Sequence, residues 1–234
     1  MTLDGWTAIN KAKLVLNVLP KPLSEALPVS MQVSPGSGKG AIGFFNDGYW
    51  GMSVKKQKYS GSFWVKGEYN GTFTASLQSA LNDDVFGSVE IESNATADEW
   101  VEHEVILVPH MDAPNSNNTF AITFDPAGLG GGSLDFNLIS LFPPTYKDRK
   151  NGLRPDIMEA LKGFHPSIFR IPGGNMLEGD NNASYWDWKN TLGPLKDRPG
   201  FQGVWGYQQT NGLGLYEYLL WAEDFGMQFG RSPR

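Results

Sequence analysis

Between about Leu3 and Phe142, apolar and polar residues alternate with a period of two. Phe73, Ala75 and Leu77 are set against Thr72, Thr74, Ser76 and Gln78, the pattern of a strand with one face buried and the other in water. Tyr59/Gly61/Phe63/Val65, Val101/His103/Val105/Leu107, Phe120/Ile122/Phe124 and Leu134/Phe136/Leu138 repeat it. Turn clusters such as Ser34-Pro-Gly-Ser-Gly38 and Asp112-Ala-Pro-Asn-Ser116 separate the runs. Gly128-Leu-Gly-Gly-Gly-Ser133 reads as a hairpin turn and not a phosphate loop, because a strand follows it and no Lys-Ser/Thr pair is present. Short strands at near-regular spacing predict an antiparallel β-sandwich or jelly roll over residues 1–142.

Near Pro143-Pro144 the periodicity changes. Arg154-Pro155 opens a run in which Ile157, Met158 and Leu161 are expected on one helical face, and Gly163 stops it. Ile168 to Ile171 then reads as a short strand. After a long loop rich in Gly, Asn and Trp, Leu215, Tyr218, Leu219, Ala222 and Phe225 recur at helical spacing, with Gly226 as the cap. Helix, strand, loop and helix in that order predict that residues 143–234 form the incomplete beginning of a (β/α)8 TIM barrel. The tail Phe229-Gly-Arg-Ser-Pro-Arg234 is polar and broken by proline, so it is not expected to be the next barrel strand. Glu217, Glu223 and Asp224 are expected on the solvated side of the last helix.

Composition narrows the partners. A net charge of −6 and a pI near 5.1 offer no basic stripe to neutralise phosphates, which argues against nucleic acid or an anionic membrane. Lys55-Lys56-Gln57-Lys58 is the basic cluster of the chain and is expected at a solvated strand edge. An aromatic content of 13%, with eight Trp, leans toward carbohydrate, whose C–H faces stack on flat rings, although core packing accounts for aromatics equally well.

With no cysteine there is no disulfide, thiolate nucleophile or thiolate metal site. No metal or cofactor is expected, since His103-Glu104 runs on to Val-Ile-Leu, not to a second histidine, and His110 and His165 have no paired spacing. No apolar run reaches transmembrane length, and residues 1–20 lack the pattern of a signal peptide. Asn70, Asn94, Asn117 and Asn182 each begin an Asn-X-Ser/Thr sequon, which suits a secreted glycoprotein.

The segment Ile168-Phe-Arg-Ile-Pro-Gly-Gly-Asn175, running on to Glu178-Gly179, puts a cation and a carboxamide just after a short apolar run. In an α/β barrel, substrate groups stand at that end of a strand. Two glycines let the backbone turn tightly, while Arg170 and Asn175 carry directional donors suited to sugar hydroxyls. A Gly-Pro turn beside a buried arginine is the plainer alternative.

The surrounding motifs are Trp186-Asp-Trp-Lys-Asn-Thr-Leu-Gly-Pro194, Arg198-Pro-Gly200, Trp205-Gly-Tyr207 and Asn211-Gly-Leu-Gly-Leu-Tyr-Glu-Tyr218. Together with Arg170–Asn175 and Glu178-Gly179, they resemble the start of the catalytic domain in the fungal branch of family 51 glycoside hydrolases, the α-L-arabinofuranosidases. Upstream, Leu3-Asp-Gly-Trp6, Gly48-Tyr-Trp-Gly51 and Tyr59-Ser-Gly-Ser-Phe-Trp-Val-Lys66 resemble the sandwich that precedes the barrel in that family, so the likeness covers nearly the whole chain.

The resemblance implies a secreted, retaining hydrolase of terminal non-reducing α-L-arabinofuranosyl residues in arabinoxylan or arabinan. It implies substrate-binding roles for Arg170 and Asn175, a binding or loop-ordering role for Glu178, and a stacking role for Trp205, whose alternative is packing at the barrel rim. The family's acid/base glutamate follows an asparagine on a later strand. This chain contains no Asn-Glu pair, so no catalytic carboxylate is assigned and the chain is expected to be an inactive fragment. A non-catalytic carbohydrate-binding protein that uses Tyr49, Trp50 or Trp64 is the alternative function, and a sandwich that merely packs against the barrel is a third.

Overall fold

A computed structural model describes residues 3–231, which form two compact units. The first comprises the residues up to Leu23 together with Val29–Pro144; the second comprises Ser24–Pro28 and the residues from Thr145 onward.

Ten strands build the first unit: β1 (Thr7–Ile9), β2 (Lys13–Val18), β3 (Val29–Ser34), β4 (Ile42–Asn46), β5 (Tyr59–Lys66), β6 (Thr72–Ser79), β7 (Val85–Glu92), β8 (Val101–Leu107), β9 (Asn118–Phe124) and β10 (Leu134–Phe142). They form two five-stranded antiparallel sheets, ordered β1-β4-β9-β6-β7 and β2-β3-β10-β5-β8. Only β2–β3 and β6–β7 are consecutive neighbours within one sheet; the other connections cross between sheets, as in a jelly roll. Phe73, Ala75 and Leu77 are wholly buried, as their alternation predicts. The core is aromatic, with Phe63 meeting Phe73 edge-on at 5.3 Å and Phe44 meeting Phe136 at 5.0 Å.

His103 is a core residue stacked on Phe63 at 5.2 Å. Its Nε2 accepts from the Asn94 N–H at 3.3 Å, while its Nδ1 faces the Val101 carbonyl. Burial lowers its pKa, which keeps the imidazole neutral.

Three local expectations change. Gly128–Ser133 is not a hairpin turn, because it joins β9 to β10 and those strands lie in different sheets. The alternation in β10 fails at Leu138, which adopts a positive φ beside a register shift, so Ile139 and Leu141 turn toward the core after it. Lys55 to Lys58 lie in the loop before β5 and not on a strand edge, with Asp112 accepting from the Lys55 ammonium and the Lys56 N–H.

In the second unit α1 (Pro155–Gly163) precedes β11 (Ile168–Ile171). Of the three apolar α1 residues expected on one face, Met158 is buried while Ile157 and Leu161 are exposed. Those two stand four residues apart on one side, and Met158 points roughly 100° away from Ile157. The chain then forms α2 (Asn175–Glu178), a hairpin of β12 (Phe201–Gln202) and β13 (Gln208–Gln209), and α3 (Leu215–Phe225), which ends at Gly226 with φ +71.

The tail departs from expectation. Gln228–Arg231 forms β14, parallel to β11 with Ile168 opposite Gln228 and Ile171 opposite Arg231. β11, α3 and β14 make a β-α-β unit, the repeating element of an α/β barrel. Gln228-Phe-Gly-Arg231 forms this strand because its backbone has a ladder partner in β11; Ser232, Pro233 and Arg234 lie outside the described residues.

Candidate functional site

β11 runs into Pro172-Gly173-Gly174, and both glycines are sterically required. A Cβ on Gly173 would stand 2.9 Å from Nη2 of Arg170, so the guanidinium lies over bare backbone. Gly174 has φ +58 and ψ −145, a region closed to side chains. Its carbonyl accepts from the N–H groups of Leu177 and Glu178, at 3.0 and 3.2 Å, which starts α2. Buried Leu177 and Trp186 fasten the turn from below, and the Trp186 N–H donates to the Met176 carbonyl at 3.1 Å. Trp186 is therefore a packing residue, while Trp188 is half-buried at the start of a 3-10 turn.

Arg170 near the C-terminal end of β11, and Asn175 and Glu178 at the two ends of α2 just after it, are all three exposed. Among the described residues their side chains make no hydrogen bond or ion pair. Arg149, Arg154 and Arg198 in the same unit each hold a carboxylate, in contrast to Arg170. Among the described residues, no side chain takes up the five guanidinium donors of Arg170. Trp205 comes from a different element, the tip of the β12–β13 hairpin, where it is 60% exposed. The Gly203 N–H donates to the Tyr207 carbonyl at 2.9 Å and closes that tip.

The loop that carries Trp205 is held at its base by an ion pair whose carboxylate, Glu217, was expected in solvent. Glu217 is 6% exposed and Arg198 5%. Arg198 Nη2 and Nη1 donate to the two carboxylate oxygens of Glu217 at 2.9 and 3.1 Å. The same guanidinium donates to the carbonyls of Gly193, Asn211 and Gly212, tying together residues 193 to 217.

Glu217 also accepts from the Gly214 N–H at 2.8 Å, a capping interaction at the start of α3. Burial pushes its pKa up, but the bonds from Arg198 and Gly214 outweigh this and hold the carboxyl below its ordinary range. Asp224 is likewise buried and not solvated. Arg149 donates to it at 2.5 and 2.7 Å and Lys147 at 2.8 Å, and these bonds, Arg149's first, lower its pKa against the effect of burial. Glu223 is exposed, as expected. The glycine three residues before Glu217 was the sequence signal for a capping glutamate; nothing local marked Asp224.

The sequon residues Asn70, Asn94, Asn117 and Asn182 are all exposed. Trp64 is half-buried on the outer face of β5, between Asn137 and Glu102 on the neighbouring strands.

Residues 160–229 match the Alpha-L-arabinofuranosidase 1 domain. Probable alpha-L-arabinofuranosidase A of Aspergillus flavus is 39% identical over 226 residues, and alpha-L-arabinofuranosidase A of Aspergillus niger is 38% identical over 226. In both cases the match covers 96% of this chain and 36% of the relative, so the chain spans about a third of the length of these proteins. The arabinose-bound structure of MgGH51 α-L-arabinofuranosidase superimposes with a TM-score of 0.90 at 42% identity, covering 98% of this chain and 37% of that one. In sequence and in fold, the chain is similar over nearly its whole length to part of the α-L-arabinofuranosidases, with a β-sandwich followed by the opening of a (β/α)8 barrel.

Proposed function

We propose that this chain is the sandwich and first substrate-binding turn of a glycosidase that removes terminal non-reducing α-L-arabinofuranosyl residues from arabinoxylan or arabinan. The observation that carries the reading is that Arg170, Asn175 and Glu178 are exposed on the Gly173-Gly174 turn and have no side-chain partner among the described residues. A relative whose structure holds arabinose shares 42% identity across this region and the sandwich. Arg170 directs charge-assisted donors at the sugar or at neighbouring carboxylates, Asn175 bonds a hydroxyl, Glu178 orders the loop or accepts from a hydroxyl, and Trp205 supplies an apolar wall. In the reading adopted here, residues 1–142 are a carbohydrate-binding-like module and residues 143–234 the first part of the catalytic domain.

Retaining hydrolysis requires two carboxyl groups roughly 5 Å apart, one to protonate the leaving oxygen and one to attack the anomeric carbon. The chain contains no Asn-Glu pair, so it is assigned binding and not bond cleavage. A product that carries this segment within a complete barrel should release the aryl group from an aryl α-L-arabinofuranoside and leave the matching β-D-xylopyranoside intact; cleavage of the xyloside alone would refute the assignment. The 234-residue chain by itself should show no turnover, because positioning without acid and nucleophile omits the main chemical contributions. Robust turnover free of longer enzyme would return Glu178 to the list of catalytic candidates.

An extracellular location is also proposed, supported by the four exposed sequons. Protein secreted from a fungal host should lose apparent mass on treatment with an N-glycan-releasing amidase; unchanged migration would argue against modification.

A further inference from the structure

Between β4 and β5 the chain passes through Gly48-Tyr49-Trp50-Gly51, where two of its largest apolar side chains stand almost wholly in solvent. Tyr49 is 90% exposed and Trp50 88%. Their rings meet edge-on, with centroids 6.0 Å apart and planes at 84°, which forms a corner with two aromatic walls. Trp64, the other sandwich tryptophan considered for binding, is half-buried and lacks this projection.

The turn beneath the rings is built to hold them. Gly48, Trp50 and Gly51 have φ of +71, +62 and +95, so a bulky residue sits in the left-handed region between two glycines. A Cβ on Gly51 would stand 2.5 Å from the Ser116 carbonyl, which shows how closely the turn abuts the neighbouring loop. The Met52 N–H donates to that carbonyl at 2.7 Å. The side-chain amide of Asn118 donates to the Met52 carbonyl at 2.8 Å, and the Gly48 N–H donates to Asn46 Oδ1 at 2.8 Å. A strained, well-anchored backbone that displays apolar rings in water is a feature to explain by function.

Magnitude and charge select the occupant. Two such side chains offer on the order of 400 Å², about half of the roughly 800 Å² per partner in a stable protein interface. The acid Asp47 lies in the turn, and the nearest lysine in sequence, Lys55, is paired with Asp112, so nothing here draws phosphate or anionic lipid. The polar groups at the base are uncharged and bonded to one another, so the corner offers ring faces without a fixed cation beneath them, which suits stacking on a neutral sugar ring. We infer that the Tyr49–Trp50 corner is a stacking platform for the main chain of a neutral polysaccharide. The choice of an arabinose-branched polymer as that ligand rests on the function proposed above.

The test is affinity electrophoresis of the 234-residue chain in gels containing arabinoxylan, arabinan, unbranched xylan or no polysaccharide. Tyr49→Ala and Trp50→Asn are compared with wild type; asparagine accepts the left-handed region, so the turn should persist and the thermal midpoint stay unchanged. Wild type is expected to be retarded by at least one polymer, each variant to bind about tenfold more weakly, and Trp50→Tyr to recover most of the retardation. Equal migration of wild type with and without every polymer, or equal retardation of wild type and variants, would overturn the platform. Because retention is read without turnover, loss of the platform and loss of the arabinofuranosidase assignment are separately visible.

Discussion

Replacing Arg198 with alanine should lower the stability of the second unit by about 3–5 kcal/mol, the largest single effect expected there, because it leaves Glu217 charged, buried and unpaired. The loss extends beyond the carboxylate, since the Gly193, Asn211 and Gly212 carbonyls give up the same guanidinium. The double variant Arg198→Met/Glu217→Gln should cost less than the single change, because no charge is then stranded. Denaturant unfolding followed by tryptophan fluorescence, with Trp186, Trp188, Trp205 and Trp221 in this unit, gives the comparison. A midpoint for Arg198→Ala equal to wild type would mean that the pair does not hold the loop.

The two buried carboxylates of α3 set a pH dependence. Glu217 and Asp224 titrate lower in the folded chain than in the unfolded one, so their contribution is complete above the ordinary carboxylate pKa, about 4. It is lost as pH falls through the lower folded values. The second unit should therefore weaken below about pH 4, and Glu217→Gln should flatten that slope while lowering stability at neutral pH.

Phe73→Ala should destabilise the first unit by a similar amount, about 3–5 kcal/mol, since a wholly buried ring is removed and its neighbours close in only partly. Five aromatic rings surround it: Tyr69 at 4.9 Å, Phe63 at 5.3 Å, His103 at 5.2 Å, Phe124 at 5.8 Å and Phe136 at 6.0 Å. Both sheets contribute rings, Phe63, His103 and Phe136 from one and Phe124 from the other, and Tyr69 comes from the β5–β6 loop, so the cavity lies between the two sheets. Phe73→Leu keeps most of the volume and should cost far less. A cost for the alanine variant no larger than for leucine would indicate that the core repacks around the gap.

The sandwich was legible because a sheet with one buried face writes its inside and outside into alternate residues, as in Phe73, Ala75 and Leu77. The departures lie where a partner distant in sequence decides the outcome. Glu217 looked like a solvated helix residue until Arg198, 19 positions earlier, arrived to pair with it. Asp224 is buried by Arg149, 75 positions away. The polar tail becomes strand β14 through a ladder with β11, sixty residues upstream in register, which no local propensity encodes. Leu138 leaves the alternation because a register shift in the pairing of β10 with β5 reverses which side faces inward. At the candidate site, the Gly-Gly turn and its two polar residues could be read directly, because glycine needs and donor chemistry are local. The packing role of Trp186 depended on which side of the loop faced inward.

The most direct test of the central claim, that the turn after β11 binds arabinose in a family 51 enzyme, is steady-state kinetics on an aryl α-L-arabinofuranoside. The protein assayed should be a complete enzyme carrying this segment, as wild type, Arg170→Ala and Asn175→Ala. Each variant removes a directional bond in a substrate pocket and should lose about tenfold or more in kcat/KM, with Arg170→Ala the larger loss because its bonds are charge-assisted. Both side chains are exposed and have no side-chain partner among the described residues, so thermal midpoints should remain those of wild type. Wild-type kcat and KM in both variants would contradict the account.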